Sequence, residues 1–176
     1  MQNIRLLDRK SNRLQNYDYS QPGYYFVSVC TRERVEWFGV IENGEMKLNE
    51  HGNIAAECWY NLPNHYTHIK LDVFTIMPNH IHGIIVIENA SVGEGFKPSP
   101  TGNHGLSEIV RGFKTFSSRR INEIIGRGAH FQWQRSFYDQ VIRGEAALEQ
   151  MREYILNNPK KWELDAENPA RHNRQH

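Results

Sequence analysis

Residues 68–88, HIKLDVFTIMPNHIHGIIVIE, place two strand-like runs back to back with only Pro78-Asn79 as a turn between them. In the first run Ile69, Leu71 and Val73 alternate with Lys70 and Asp72, the period-2 pattern of a half-buried strand. The second run, HIHGIIVIE, folds back on the first, because Pro and Asn favour turn conformations. A β-β step of this kind inside a chain that otherwise alternates strands and helices restricts the possible topologies severely.

The flanking segments supply the rest of the pattern. YYFVSVCT (24–31) is aromatic and β-branched and predicts a strand. Asn43-Gly44, between apolar flanks in residues 34–48, predicts a hairpin. Residues 49–62 predict a helix with Asn49 as N-cap, Ile54, Cys58 and Leu62 on one face, and Pro63 as its stop. Beyond a Gly/Ser/Pro-rich stretch at 89–104, Leu106, Ile109, Val110 and Phe113 fall at helical spacing, with Arg111, Lys114, Arg119 and Arg120 largely off that stripe. SFYDQVIR (136–143) predicts a strand. Gly144 opens a last helix whose broad face holds Ala147, Leu148, Met151, Tyr154 and Ile155 and which Pro159 limits.

With the hairpin and the last helix set aside, the order is β-α-β-β-α-β. That is the split βαβ of a ferredoxin-like α+β fold, an antiparallel sheet with helices on one face. Its other face is open and is a natural place for a site. One domain is expected for 176 residues, with an N-terminal arm at 1–23, a loop at 89–104 and a polar tail at 166–176.

Charge is distributed unevenly. The net charge is only +1, yet residues 1–100 hold nine Lys/Arg against eleven Asp/Glu, and residues 101–161 hold ten against six. Arg5, Arg9, Lys10 and Arg13 make the arm basic as well. This permits a polyanionic partner without requiring one, since a charge run is more often a solvated face. The longest aliphatic run is IIVI, too short to span a bilayer, and no apolar leader is seen at the start. No membrane partner is therefore expected, and the expected location is cytoplasmic, near the nucleoid if DNA is the partner. Cys30 and Cys58 lack the close pairing of a zinc or redox motif and read as buried thiols.

His80 and His82 stand two apart on a strand, so both imidazoles project to one side while Ile81, Gly83, Ile85 and Ile87 project to the other. Two such imidazoles can share one divalent cation. A pair of surface or hydrogen-bonded histidines is the alternative. The cysteines offer no closed zinc set, Ile84 occupies the next same-side position, and His65 and His68 lie in a preceding loop. An open, partly oxygen-liganded Mg²⁺ or Mn²⁺ site fits better. Such a site polarises a phosphoryl oxygen during nucleophilic attack. Tyr154 and Asn158, four apart on the last helix, share a face and offer a hydroxyl and a hard-metal ligand. On spacing alone Tyr154 reads better as a core tyrosine at the end of an apolar stripe.

FTIMPNHIHGIIVI, WQRSFYDQVIR (133–143) and REYILNNPKKWELD (152–165), in that order, resemble the REP-associated tyrosine transposases, relatives of the single-tyrosine HUH transposases of small bacterial insertion sequences. YDYSQPGYYFVSVCTRE and GEMKLNEHGNIAAECW are similar as well, so the resemblance covers nearly the whole chain. It implies a ferredoxin-like catalytic domain that cuts and rejoins single-stranded or hairpin DNA. His80 and His82 become metal ligands, Tyr154 the nucleophile forming a 5′-phosphotyrosine, and Asn158 the third ligand. Tyr138 is a rival nucleophile whose aromatic neighbours indicate packing. DNA phosphates are expected on Arg5, Arg9, Lys10, Arg13, Arg111, Lys114, Arg119, Arg120, Arg135 and Arg143, and unpaired bases on Tyr17 or Tyr19. The resemblance leaves open whether a monomer, or a dimer sharing the last helix, completes the site. A non-catalytic nucleic-acid-binding module on the same sheet and a metal-dependent phosphodiesterase are the competing readings.

Overall fold

The computed structural model describes residues 17–88, 104–165, 168 and 169. Its strands are β1 (Gly23–Cys30), β2 (Gly39–Glu42), β3 (Glu45–Leu48), β4 (Ile69–Met77), β5 (His80–Ile87) and β6 (Tyr138–Ile142). Its helices are α1 (Glu50–Tyr60), the single turn α2 (Leu62–His65), α3 (Leu106–Ile125) and α4 (Glu145–Asn157). A 3₁₀ segment, Pro159–Leu164, follows α4.

Four strands form one open sheet in the order β4-β5-β1-β6, with every neighbouring pair antiparallel. That is the ferredoxin-like order, with β2 and β3 as a separate two-stranded insertion. The insertion turns at Asn43 (φ 53°) and Gly44 (φ 76°), the two left-handed residues that a tight hairpin turn requires.

The two faces of the sheet have different partners. Tyr25, Val27, Val29, Ile81, Ile85 and Ile87 pack with Ile54, Trp59, Val110 and Phe113 from α1 and α3 to form the main core. Close approach is possible because Gly83 has no Cβ, which would overlap the Trp59 ring. On the opposite face Phe26, Ile84 and Ile142 meet Leu148 and Ile155 of α4. The face expected to be open is thus partly roofed by α4, and the site lies at the margin of that roof.

Several local expectations are met at the level of atoms. Asn49 caps α1, its Oδ1 accepting from the Gly52 amide at 3.0 Å. Cys30 and Cys58 are buried thiols, not joined in a disulfide. Pro63 does not simply stop a helix, for it lies in the first positions of α2. The alternation in β4 is broken by a register shift between Leu71 and Phe74, so Val73 joins the α4 side while Ile69 and Leu71 stay with the main core. This β-bulge also releases Asp72 toward α4, where Arg152 meets it. The basic residues Arg5, Arg9, Lys10 and Arg13, and the loop from 89 to 103, lie outside the described residues.

Candidate metal and nucleophile site

β5, an inner strand of the sheet, carries the histidine pair at its start. His80 pairs with Cys30 of β1 and Met77 of β4, and His82 with Ser28 and Thr75. Side chains opposite one another in an antiparallel register share a face, so both imidazoles point to the α4 side. His80 is 0% and His82 4% exposed, and their Nε2 atoms are 3.0 Å apart.

A hydrogen-bond relay orients the first ring. The Asn79 amide donates from Nδ2 to the Arg34 carbonyl at 3.0 Å, which turns its Oδ1 toward His80. His80 Nδ1 donates to that Oδ1 at 2.8 Å. Burial pushes both imidazoles down to about 3, with the Arg34 charge adding to the effect at His80 and His80 itself adding to it at His82. A neutral His80 protonated on Nδ1 has a bare lone pair on Nε2. His82 Nε2 must then donate across the 3.0 Å contact, which leaves its buried Nδ1 as a lone pair without a partner.

The third group to reach the pair is Asp165. Its Oδ2 lies 3.9 Å from His80 Nε2, and one ligand atom each from His80, His82 and Asp165 falls within 4.8 Å of the others. Ligands about 2.1 Å from one octahedral ion stand about 3.0 Å apart when adjacent and about 4.2 Å apart when opposite. Two neutral imidazole nitrogens and a carboxylate at these separations fit a divalent cation, at the cost of moving the His82 proton to Nδ1. Asn158, the third ligand implied by the sequence resemblance, is the C-cap of α4, and its buried Oδ1 has no hydrogen-bond partner. An orphaned buried carbonyl oxygen of this kind also suits a hard cation.

Tyr154 comes from the same chain. Its hydroxyl is 3.4 Å from His82 Nε2, its ring centroid 5.4 Å from that of His82 and 6.0 Å from that of Phe26. It is 45% exposed, so the phenol contacts the buried pair on one side and solvent on the other. The alternative of a core tyrosine does not hold. α4 is fastened by Arg152, whose Nη2 and Nε reach Asp72 at 2.6 and 3.1 Å.

The expected DNA-contacting cations separate into two groups. Arg111, Lys114, Arg119 and Arg120 all lie on α3, across the sheet from the histidines. Arg111 pairs with Glu108, Arg119 with Glu123 and Arg120 with Glu57. Lys114 donates to the carbonyls of Gln134 and Ser136, and burial pushes its amine down to about 8. Arg135 and Arg143 are exposed on either side of β6, with no ion pair among the described residues. Tyr17 and Tyr19 pack against the main core rather than beside the site. His65 stacks on Phe116 and His68 contacts the His104 carbonyl, so neither joins the pair.

Asp165 was missed by sequence reasoning. It ends the stretch REYILNNPKKWELD, yet nothing in the spacing shows that the 3₁₀ segment turns it back to His80. Among the described residues no helix is long and apolar enough to cross a membrane.

No family model matches the chain. An uncharacterized protein of Haemophilus influenzae is 37% identical over 169 residues, covering 89% of this chain and 91% of that one. Among solved structures, a REP-associated tyrosine transposase bound to a REP hairpin superposes with a TM-score of 0.59 at 17% identity, covering 85% of this chain and 73% of that one.

Proposed function

Because the chain belongs to one family with the Haemophilus influenzae protein and has the fold of a REP-associated tyrosine transposase, we propose that it is a transposase-type enzyme that cuts and rejoins single-stranded DNA beside hairpin-forming repeats. The observation that carries this reading is the 3.4 Å approach of the Tyr154 hydroxyl to His82 Nε2, next to two neutral imidazoles 3.0 Å apart.

Tyr154 is the nucleophile. Its oxygen forms a bond to the scissile phosphorus as the bond to the 3′ oxygen breaks, leaving a 5′-phosphotyrosine and a free 3′-OH. The phenolic proton leaves and the departing oxygen takes one up. One phosphodiester is exchanged for another, so rejoining reverses the step without an external energy source. His80, His82 and an oxygen from Asp165 or Asn158 would hold Mg²⁺ or Mn²⁺. When bound, that ion would polarise the phosphoryl oxygen and offset its developing charge. Asn79 orients His80, and Arg152 sets α4 so that Tyr154 reaches the pair. The pair and the tyrosine meet within one chain, which supports a site assembled in cis.

The test mixes the protein with Mn²⁺ and oligonucleotides that join a repeat hairpin to a single-stranded flank. A covalent protein–DNA adduct on a denaturing gel, lost in Tyr154→Phe, is expected. No adduct from the wild type, or one that survives Tyr154→Phe, overturns the reading.

A further inference from the structure

A strand cut at Tyr154 must place the bases next to the reacting phosphate somewhere, and the sheet beside α4 offers one surface. Tyr138, Ser28 and His82 occupy one cross-strand row, and two strand spacings put Tyr138 about 10 Å from His82 along the sheet. Phe26, 4% exposed, lies between them. Its ring centroid is 5.4 Å from His82, 6.0 Å from Tyr154 and 6.1 Å from Tyr138, the last two contacts being edge-on. Tyr138 is held by that edge contact and remains 40% exposed. The neighbouring exposed Gln140 points to the same face, its Oε1 3.4 Å from the Tyr138 hydroxyl. It adds an amide that can meet a base edge.

Charge indicates the kind of ligand. Arg135 and Arg143 bracket β6 without an ion pair among the described residues, while Arg111, Arg119 and Arg120 on the far face are all paired. Exposed aromatic and amide side chains on a strand that basic residues flank in sequence match a chain of bases on a phosphate backbone. A duplex cannot use such a surface, because its bases are stacked on one another.

We propose that Tyr138, seated on Phe26 in a strand that Arg135 and Arg143 flank in sequence, is a stacking platform for unpaired nucleobases of the strand whose phosphate meets Tyr154. The proposal rests on the single-stranded DNA reading above. It assigns Tyr138 to binding, which removes it as a rival nucleophile.

The test compares two single strands in EDTA, where no cleavage takes place: dT20 and a 20-mer of abasic residues with the same phosphates. Fluorescence anisotropy is expected to show Tyr138→Ala weakening dT20 by about five- to 150-fold per stacked base while leaving the abasic strand unchanged. Tyr138→Phe, which keeps the ring, is expected to bind dT20 like the wild type. An equal loss on both strands, no loss on dT20, or no binding of dT20 by the wild type overturns the platform. The adduct assay separates the two ideas. An adduct without base-dependent binding refutes the platform alone, and base-dependent binding through Tyr138 without an adduct refutes strand transfer alone.

Discussion

Arg152 on α4 grips Asp72 at the β4 bulge through two nitrogens, Nη2 at 2.6 Å from Oδ2 and Nε at 3.1 Å from Oδ1. Tyr154 lies two residues further along the same helix, so this contact helps set the distance between its hydroxyl and the histidines. Asp72→Asn removes the charge that holds the fork. Adduct formation is expected to fall by as much as about a hundredfold, with binding of single-stranded DNA little changed, because misplacement of about 1 Å is enough for such a loss. Equal losses in binding and adduct yield would contradict a positioning role.

The same contact predicts a pH dependence. Hydrogen bonds from Arg152 hold the Asp72 carboxyl below its usual range. Near that range the unfolded chain binds more protons than the folded one, so stability rises with pH there. The stabilisation is complete above an ordinary carboxylate value of about 3.9 and is lost as pH falls through the lower folded value. Urea midpoints of wild type and Asp72→Asn should therefore converge as the pH is lowered through this range. A gap that stays constant would exclude the linkage.

Asn79 bridges the Arg34 carbonyl and His80 Nδ1. In Asn79→Ala the ring loses the acceptor that fixes its tautomer. Mn²⁺ affinity is expected to drop about 10- to 100-fold, the usual cost of removing such an outer partner. Titration calorimetry with Mn²⁺ measures it, and unchanged affinity would separate Asn79 from the metal.

Asp165 and Asn158 are rival candidates for the third ligand of the proposed site, one near His80 in space and one implied by resemblance. We expect Asp165→Ala to weaken Mn²⁺ binding about tenfold or more. A loss confined to Asn158→Ala would assign the site to Asn158 instead.

Gly83 lies beneath Trp59, and an added methyl would overlap the buried indole, itself packed against Phe74 and Phe113. Gly83→Ala should destabilise the protein by about 1–3 kcal/mol, the range for overpacking a filled core. Denaturant unfolding checks this, and a neutral result would mean that β5 can shift away from α1.

The fold was legible because its signals are local. The aromatic and β-branched content of β1, the period of 2 in β5, the Asn43-Gly44 turn, the Asn49 cap and the apolar stripe of α3 each act within a few residues. The β-β step at Pro78-Asn79 then left one order of elements. Val73 was assigned to the wrong face because a bulge inserts a residue without leaving a mark in the hydrophobic pattern. His80 and His82 were placed on one side by period 2 alone, and Tyr154 and Asn158 on one face by helical spacing.

The sequence by itself therefore determined the strands, the helices and which side chains share a face, since those follow from backbone periodicity. Only the tertiary structure decided which faces meet. It set Tyr154 3.4 Å from His82, brought Asp165 to His80, placed the paired cations of α3 on the far side of the sheet, and left Tyr138 exposed beside the site. These relations join residues far apart in the chain through packing of α4 on Phe26, Ile84 and Ile142 and through the Asp72–Arg152 contact, and neither has a sequence period.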